Sequence, residues 1–136
     1  MRVIFWYMDQ FKYHPAIKNL ETAEEVTEDG VFRDAIVAFV HGEAEDEENA
    51  SKVETKLVKN VKWLAGKLDC SNVVLHSFAH LSTSKCEPEF LQGLFDRAEE
   101  RLTGSGLTVS QTPFGYFLDI EMSAPGKSLA RVYKEF

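Results

Sequence analysis

The sequence is short of cysteine, of positive charge and of long apolar runs, and each shortage excludes something. Cys70 and Cys86 are its only cysteines. Two thiols are too few for the disulfide framework of a small secreted scaffold, and they lack zinc-ligand spacing. They read as reduced thiols of a cytoplasmic protein. Lysine and arginine number 15 against 22 acids, a net charge of −7. A protein that tracks long stretches of duplex backbone normally carries the opposite sign. The deficit is uneven, −5 over residues 1–70 and −2 over residues 71–136, so contact with a short single-stranded end stays open. The apolar opening from Met1 to Met8 is stopped by Asp9; it is too short to span a bilayer and has no cleavage region. No membrane partner is expected, and the Asn49-Ala50-Ser51 sequon is then without consequence.

What is present suits one globular domain. The chain has 136 residues, 44% of them hydrophobic, enough for a single self-sufficient core. It has no repeat, low-complexity segment or linker that would divide residues 1–136. Val3 to Met8, β-branched and aromatic, reads as a buried strand. Residues 9–30 are rich in turn formers; His14-Pro15 disfavours helix there, and Asp29-Gly30 marks a turn. Ala35 to Val40 is a second strand. The acidic run from Glu43 to Glu48 reads as a solvated loop. From Ser51 the period becomes helical, with Val53, Leu57, Val61, Leu64 and Leu68 on one face and lysines elsewhere. Val73 to Leu75 starts a third strand. Pro88 opens a second helix with Phe90, Leu91, Leu94, Phe95, Ala98 and Leu102 as its stripe, and Gly104 and Gly106 close it. Residues 107–109, 116–122 and 128–136 complete the strands. The expected class is α/β or α+β: a mixed β-sheet with two main helices packed on it.

The common catalytic signatures are absent: no GxSxG, HExxH, phosphate loop or CxxC pair. His76 and His80 stand four apart on a strand, without a third ligand type nearby, so neither a metal nor another cofactor is expected. One packed histidine and one at a strand end is the simpler account. Two segments stand out, Ser77-Phe78-Ala79-His80-Leu81-Ser82 and Thr112-Pro113-Phe114-Gly115-Tyr116-Phe117. Each joins an apolar strand to a turn. Their phenylalanines suit a core, whereas Gly115 between two aromatic residues suggests close approach of backbone to a ligand.

Phe78-Ala79-His80-Leu81-Ser82 and Pro113-Phe114-Gly115-Tyr116 resemble the N-terminal editing domain of archaeal threonyl-tRNA synthetases. The likeness extends through Met1-Arg2-Val3, Asp9, Val37-Ala38-Phe39, the acidic stretch ending at Asn49, and Leu129-Ala130. The resemblance implies a D-aminoacyl-tRNA deacylase-like fold and hydrolysis of seryl-tRNA(Thr), with threonyl-tRNA(Thr) spared. It implies a pocket lined largely by main chain: Phe39, His41, Gly42 and Glu43; Ser77, Phe78, Ala79 and His80; and Phe114, Gly115, Tyr116, Phe117 and Leu118. Phe117 and Leu118 would act through their backbone, His80 in support, and the 2′-hydroxyl of the terminal adenosine would assist the attacking water. The implied partners are the aminoacylated 3′ end of tRNA(Thr), a second copy in a homodimer, and a synthetase catalytic core if the domain is not free-standing.

Four positions depart from the family pattern. Ser77 replaces a frequent proline, Phe117-Leu118 replaces Tyr-Lys, and Arg131 replaces an acid near the last strand. Side-chain acid–base catalysis lost at such positions costs a factor of about 10²–10⁴, whereas chemistry done by RNA and backbone tolerates the changes. Arg131 could restore near the substrate the charge missing at Leu118. Two other activities stay open: a tRNA 3′-end-binding module without catalysis, and a deacylase of D-aminoacyl-tRNA.

Overall fold

The computed structural model describes residues 1–136. Six strands form one sheet: β1 (Arg2–Lys18), β2 (Gly30–His41), β3 (Asn72–Ser77), β4 (Thr108–Gln111), β5 (Tyr116–Ser123) and β6 (Arg131–Glu135). Helices α1 (Ala50–Leu68) and α2 (Pro88–Gly104) complete it. Neighbours across the sheet run β4-β3-β2-β1-β5, and β6 pairs with β1 beside β5. β2, β3 and β4 are mutually parallel, whereas β1 pairs antiparallel with β2, β5 and β6. Parallel neighbours need crossover connections, and α1 and α2 are those connections. The expected class therefore holds: a mixed sheet carrying two helices.

The helices bury the stripes read from their periodicity. Val53, Leu57, Val61 and Leu64 of α1 and Leu91, Leu94, Phe95, Ala98 and Leu102 of α2 pack with Val3, Phe5, Ile36, Ala38, Val40, Val73 and Leu75. Pro88 occupies the first turn of α2, where its missing N–H leaves no intrahelical bond unmade. Asp69 ends α1 in the left-handed conformation, φ 49°, which Asp tolerates better than most residues.

Two segments are more ordered than the sequence suggests. β1 continues nine residues beyond Asp9 to Lys18. On the sheet face away from the helices, β1 contributes Ile4, Trp6 and Met8, then Phe11 and Tyr13; β2 contributes Phe39, Val37 and Ala35, then Phe32. The alternation thus changes parity at the facing pair Asp9 and Asp34, and Asp34 has φ 48°. Simple period-2 reading breaks there. Pro15 lies beyond the last β2 partner of β1, beside a register slip against β5, where a missing N–H is tolerated.

The acidic run is a 3₁₀-helix, Ala44–Asn49, not a solvated loop. Asp46 is only 2% exposed. It accepts hydrogen bonds from the Met1 ammonium at 2.9 Å and from the Glu43 N–H at 2.7 Å. A buried carboxylate needs such partners, and they convert one acid of the run into a fixed part of the fold.

Candidate functional site

The three parallel strands end together, and a cavity of about 490 Å³ lies at their C-terminal ends. In sheets with parallel strands this end is where ligands commonly bind, and the volume falls in the usual range for small-ligand sites. Val40 near the end of β2 and Gly42 just after it line it, with His76 and Ser77 at the end of β3, Thr112 to Gly115 between β4 and β5, and Tyr116 and Phe117 at the start of β5. The remaining wall comes from Asn19 and Leu20 after β1, Ala79, His80, Lys85 and Cys86 after β3, and Pro88 and Leu91 of α2.

Backbone bonds fix these turns. Phe78 N–H donates to Val40 C=O at 2.9 Å, Cys86 N–H to Gly42 C=O at 3.0 Å, and Thr112 N–H to Leu75 C=O at 3.1 Å. Gly115 has φ 84°, and a Cβ there would lie 2.8 Å from Ala23 Cβ and 3.1 Å from Leu20 Cβ. Its glycine is thus required by the protein's own 20–23 segment. Its carbonyl accepts from the N–H groups of Asn19 (2.7 Å) and Leu20 (3.1 Å), so it places two lining residues.

His41 is fully buried and does not line the cavity. Its Nδ1 accepts the Leu81 N–H at 3.0 Å, which leaves the ring proton on Nε2 to be donated to Ser84 C=O at 2.6 Å. It thereby anchors the loop that carries Lys85 and Cys86. Glu43 serves the same loop from outside the lining. It accepts from Ser82 Oγ at 2.7 Å and from the Met1 ammonium at 3.2 Å, with Arg2 at 3.6 Å. Burial pushes the Glu43 carboxyl up, but Ser82, the ammonium and Arg2 together bring it below the usual glutamate value.

His76, 7% exposed, shares a 2.9 Å hydrogen bond between Nδ1 and Thr112 Oγ1. Burial drops its pKa to about 4, so it is neutral at pH 7. Phe39 packs against His76 and Phe78, each with ring centroids 4.9 Å apart, and Phe78 meets His80 at 4.9 Å. Phe39 and Phe78 form an aromatic buttress behind the lining. His80 is exposed and belongs to the lining, so one histidine is packed and the other follows the strand end. Phe114 lines the cavity while meeting Phe95 edge-on. Phe117, 53% exposed, forms part of the rim. Leu118 pairs with Pro15 in the sheet and lies outside the lining. Arg131 is also outside it: its guanidinium stands over the Trp6 ring and donates to Pro125 C=O.

Of the residues singled out in the sequence, the cavity thus gathers Gly42, Ser77, Ala79, His80, Phe114, Gly115, Tyr116 and Phe117. Lys85 and Cys86 were missed. No motif marks them, because they enter only through the loop anchored by His41. Burial first, and then Glu47 and Asp46, push the Cys86 thiol up to about 11, which keeps it protonated and a poor nucleophile. Lys85 is the only lysine or arginine of the lining, which contains no carboxylate. Such a wall can hold a polar ligand of nucleoside size through backbone and neutral groups, with one cation to meet an anion.

The sequence profile described as the archaea-specific editing domain of threonyl-tRNA synthetase matches residues 1–136. The threonine–tRNA ligase of Pyrococcus horikoshii is 32% identical over 135 residues, and that of Methanobrevibacter smithii 31% over 134 residues. Each alignment covers 97% of this chain but 22% of the relative; the chain spans about a fifth of their length. Among solved structures, the c-Myc DNA unwinding element binding protein superposes with a TM-score of 0.65 at 10% identity, covering 100% of this chain and 99% of that one. That likeness concerns fold alone, and it agrees with the expected mixed sheet carrying two helices. No helix is long and apolar enough to cross a membrane.

Proposed function

This chain belongs to the family of archaea-specific editing domains of threonyl-tRNA synthetase, and from that premise we propose that it proofreads by hydrolysing seryl-tRNA(Thr) in the cytoplasm. The observation that carries the reading is the cavity at the ends of β2, β3 and β4, walled by turns and neutral side chains at the family's own motifs. Ester hydrolysis needs a placed water and donors for the developing oxyanion, and backbone N–H groups can be those donors. The lining has no carboxylate to act as base, His76 is engaged with Thr112, and Cys86 is a protonated thiol.

The substrate's own 2′-hydroxyl is then the natural partner for the water. The water oxygen bonds to the ester carbonyl carbon, the bond from that carbon to the ribose 3′-oxygen breaks, and a proton reaches the departing oxygen by way of the 2′-hydroxyl. Free serine and uncharged tRNA leave. Lys85 stands at the wall as the cation for a backbone phosphate of the terminal nucleotides. His80 supports the substrate's amino group or adenosine. Threonine differs from serine by one methyl, and binding alone discriminates a methyl by about 1–3 kcal/mol. A second site that excludes the larger acyl group extends that limit. Val40, Gly42 and Ala79 are the wall the methyl would strike.

A homodimer is part of the same reading. Ile17, Met122 and Tyr133 stand 63%, 43% and 47% exposed on β1, β5 and β6, apolar area that a second copy would cover. Light scattering at micromolar concentration should give twice 15.4 kDa; a lone monomer removes this element. The family relation also points to a synthetase core as partner, whether joined or separate.

The deciding experiment charges serine on the 3′-hydroxyl of a tRNA ending in 2′-deoxyadenosine. A rate near background, beside rapid hydrolysis of the ordinary seryl-tRNA, supports RNA-assisted catalysis; an undiminished rate sinks it. Threonyl- and D-aminoacyl-tRNA, run in parallel, separate the serine editor from a D-aminoacyl deacylase. Binding without any turnover would identify a 3′-end-binding module, the alternative favoured by Leu118 in place of the family's lysine.

A further inference from the structure

The outer face of α1 is charged opposite to the rest of the protein. Lys52, Lys56, Lys59, Lys62 and Lys67 are all exposed, and none is ion-paired. At 3.6 residues per turn, Lys52, Lys56, Lys59, Trp63 and Lys67 fall on one narrow stripe, about 22 Å long at 1.5 Å per residue. Trp63, one turn before the C-terminal end of this row, is 42% exposed. Lys134 of β6 holds its Nζ 5.5 Å from that ring's centroid and adds a further cation. The helix's only acid, Glu54, is turned inward and bound by Arg97 at 2.6 Å and Arg101 at 3.0 Å. Nothing on the stripe neutralises it, although the whole chain carries −7.

We propose that this lysine stripe with Trp63 binds the phosphate backbone of the RNA behind the 3′ end that occupies the cavity. The inference rests on the editing reading for the identity of the RNA, but on the stripe alone for the contact. Position supports it: α1 starts directly after Gly42 of the cavity wall and the 3₁₀-helix, whose Glu47 accepts the N–H of Glu87 at the start of α2. The stripe therefore begins at the cavity end of the molecule and leads away from it. Its chemistry selects a polyanion over an acidic protein surface. A protein interface is built around an apolar centre depleted of lysine, whereas here a single aromatic ring interrupts a row of ammonium groups. Lysines used as point charges position a backbone without reading sequence, and an exposed tryptophan offers a platform for ribose or base.

The test is fluorescence anisotropy of a labelled, uncharged RNA hairpin with a single-stranded 3′ end, titrated from 50 to 200 mM KCl. Each phosphate neutralised contributes about −0.7 to −0.9 to the slope of log affinity against log salt. K52Q/K56Q/K59Q/K67Q should therefore flatten the slope by about 3, with at least about tenfold weaker binding at 100 mM salt. K56Q/K59Q should flatten it by about 1.5, while the charge-matched K12Q/K127Q should leave it unchanged. Trp63 fluorescence should respond to RNA in the wild type. An unchanged slope in the fourfold variant overturns the proposal, as does equal loss in K12Q/K127Q. Stripe-dependent binding of polyglutamate without stripe-dependent binding of RNA also overturns it, in favour of an acidic protein partner. Hydrolysis of a seryl ester on a 3′-terminal trinucleotide should be the same in wild type and fourfold variant. If neither hydrolyses any ester but RNA binding still depends on the stripe, the proposed reaction fails and this contact stands.

Discussion

The parallel half of the sheet, at β2 and β3, and the antiparallel half, at its outer strands β5 and β6, bury their side chains very differently. Ala35 to His41 of β2 are buried without a break, and so are Val73 to His76 of β3. No residue of β5 or β6 reaches that state. Strands covered on both faces read as continuous apolar runs, and strands wet on one side read as alternations. The cavity sits where the two kinds of strand meet: stiff ends of β2 and β3 on one side, the exposed rim residue Phe117 of β5 on the other. Burial gives the parallel half the stability to hold a fixed wall. The other half keeps surface available for a partner.

Five substitutions would sharpen or break that contrast. Phe95→Ala, under the parallel half, should cost about 3–5 kcal/mol in urea unfolding, whereas exposed Asp119→Ala of β5 on the antiparallel side should stay within about 0.5 kcal/mol. Similar losses would show that the two halves are equally packed. His76 carries the next effect. Its folded pKa of about 4 lies below the ordinary 6.5, so between those values the unfolded chain holds the extra proton and stability rises with pH. About 3 kcal/mol should be lost on acidification from pH 6.5 to 4, and His76→Gln should flatten that part of the profile.

Gly115→Ala, at the seam between the halves, forces a side chain into φ 84° and against Ala23; a loss of about 1–3 kcal/mol should follow. A thermally neutral variant would mean that the 20–23 segment yields freely. The smallest effect is expected at His80, just past β3. His80→Ala should slow seryl-tRNA hydrolysis by less than about 100-fold in single turnover, the scale of a supporting group. A loss of several thousand-fold would show that a side chain carries the chemistry.

Both helices and the buried strands were legible because one physical signal dominates each: a 3.6-residue stripe for α1 and α2, unbroken apolar runs for β2 and β3. The far half of β1 was not. Asp34 in the left-handed region and the parity change opposite Asp9 erase the alternation, and Pro15 reads locally as a strand breaker. The acidic run misled for another reason. Composition cannot reveal that Asp46 turns inward to meet an ammonium group 45 residues away in sequence. At the site, Gly42, Ala79, His80 and Gly115 could be named from local motifs, whereas Asn19, Lys85 and Cys86 arrive through long-range closure of loops.

The imidazole of His41 has a mechanical meaning. A gate that sorts by one methyl is only as selective as its wall is unyielding, because a compliant wall simply moves aside. Both ring nitrogens of His41 are committed to the loop, at 3.0 Å to Leu81 and 2.6 Å to Ser84, and the ring itself is locked beneath the sheet's end. It acts as a cross-brace: displacing Lys85 and Cys86 outward by even half an ångström would stretch two hydrogen bonds at once. In the reaction proposed above, the misfit of an oversized acyl group would be returned to the substrate as distortion, with the loop as a rigid gauge although it has no regular secondary structure.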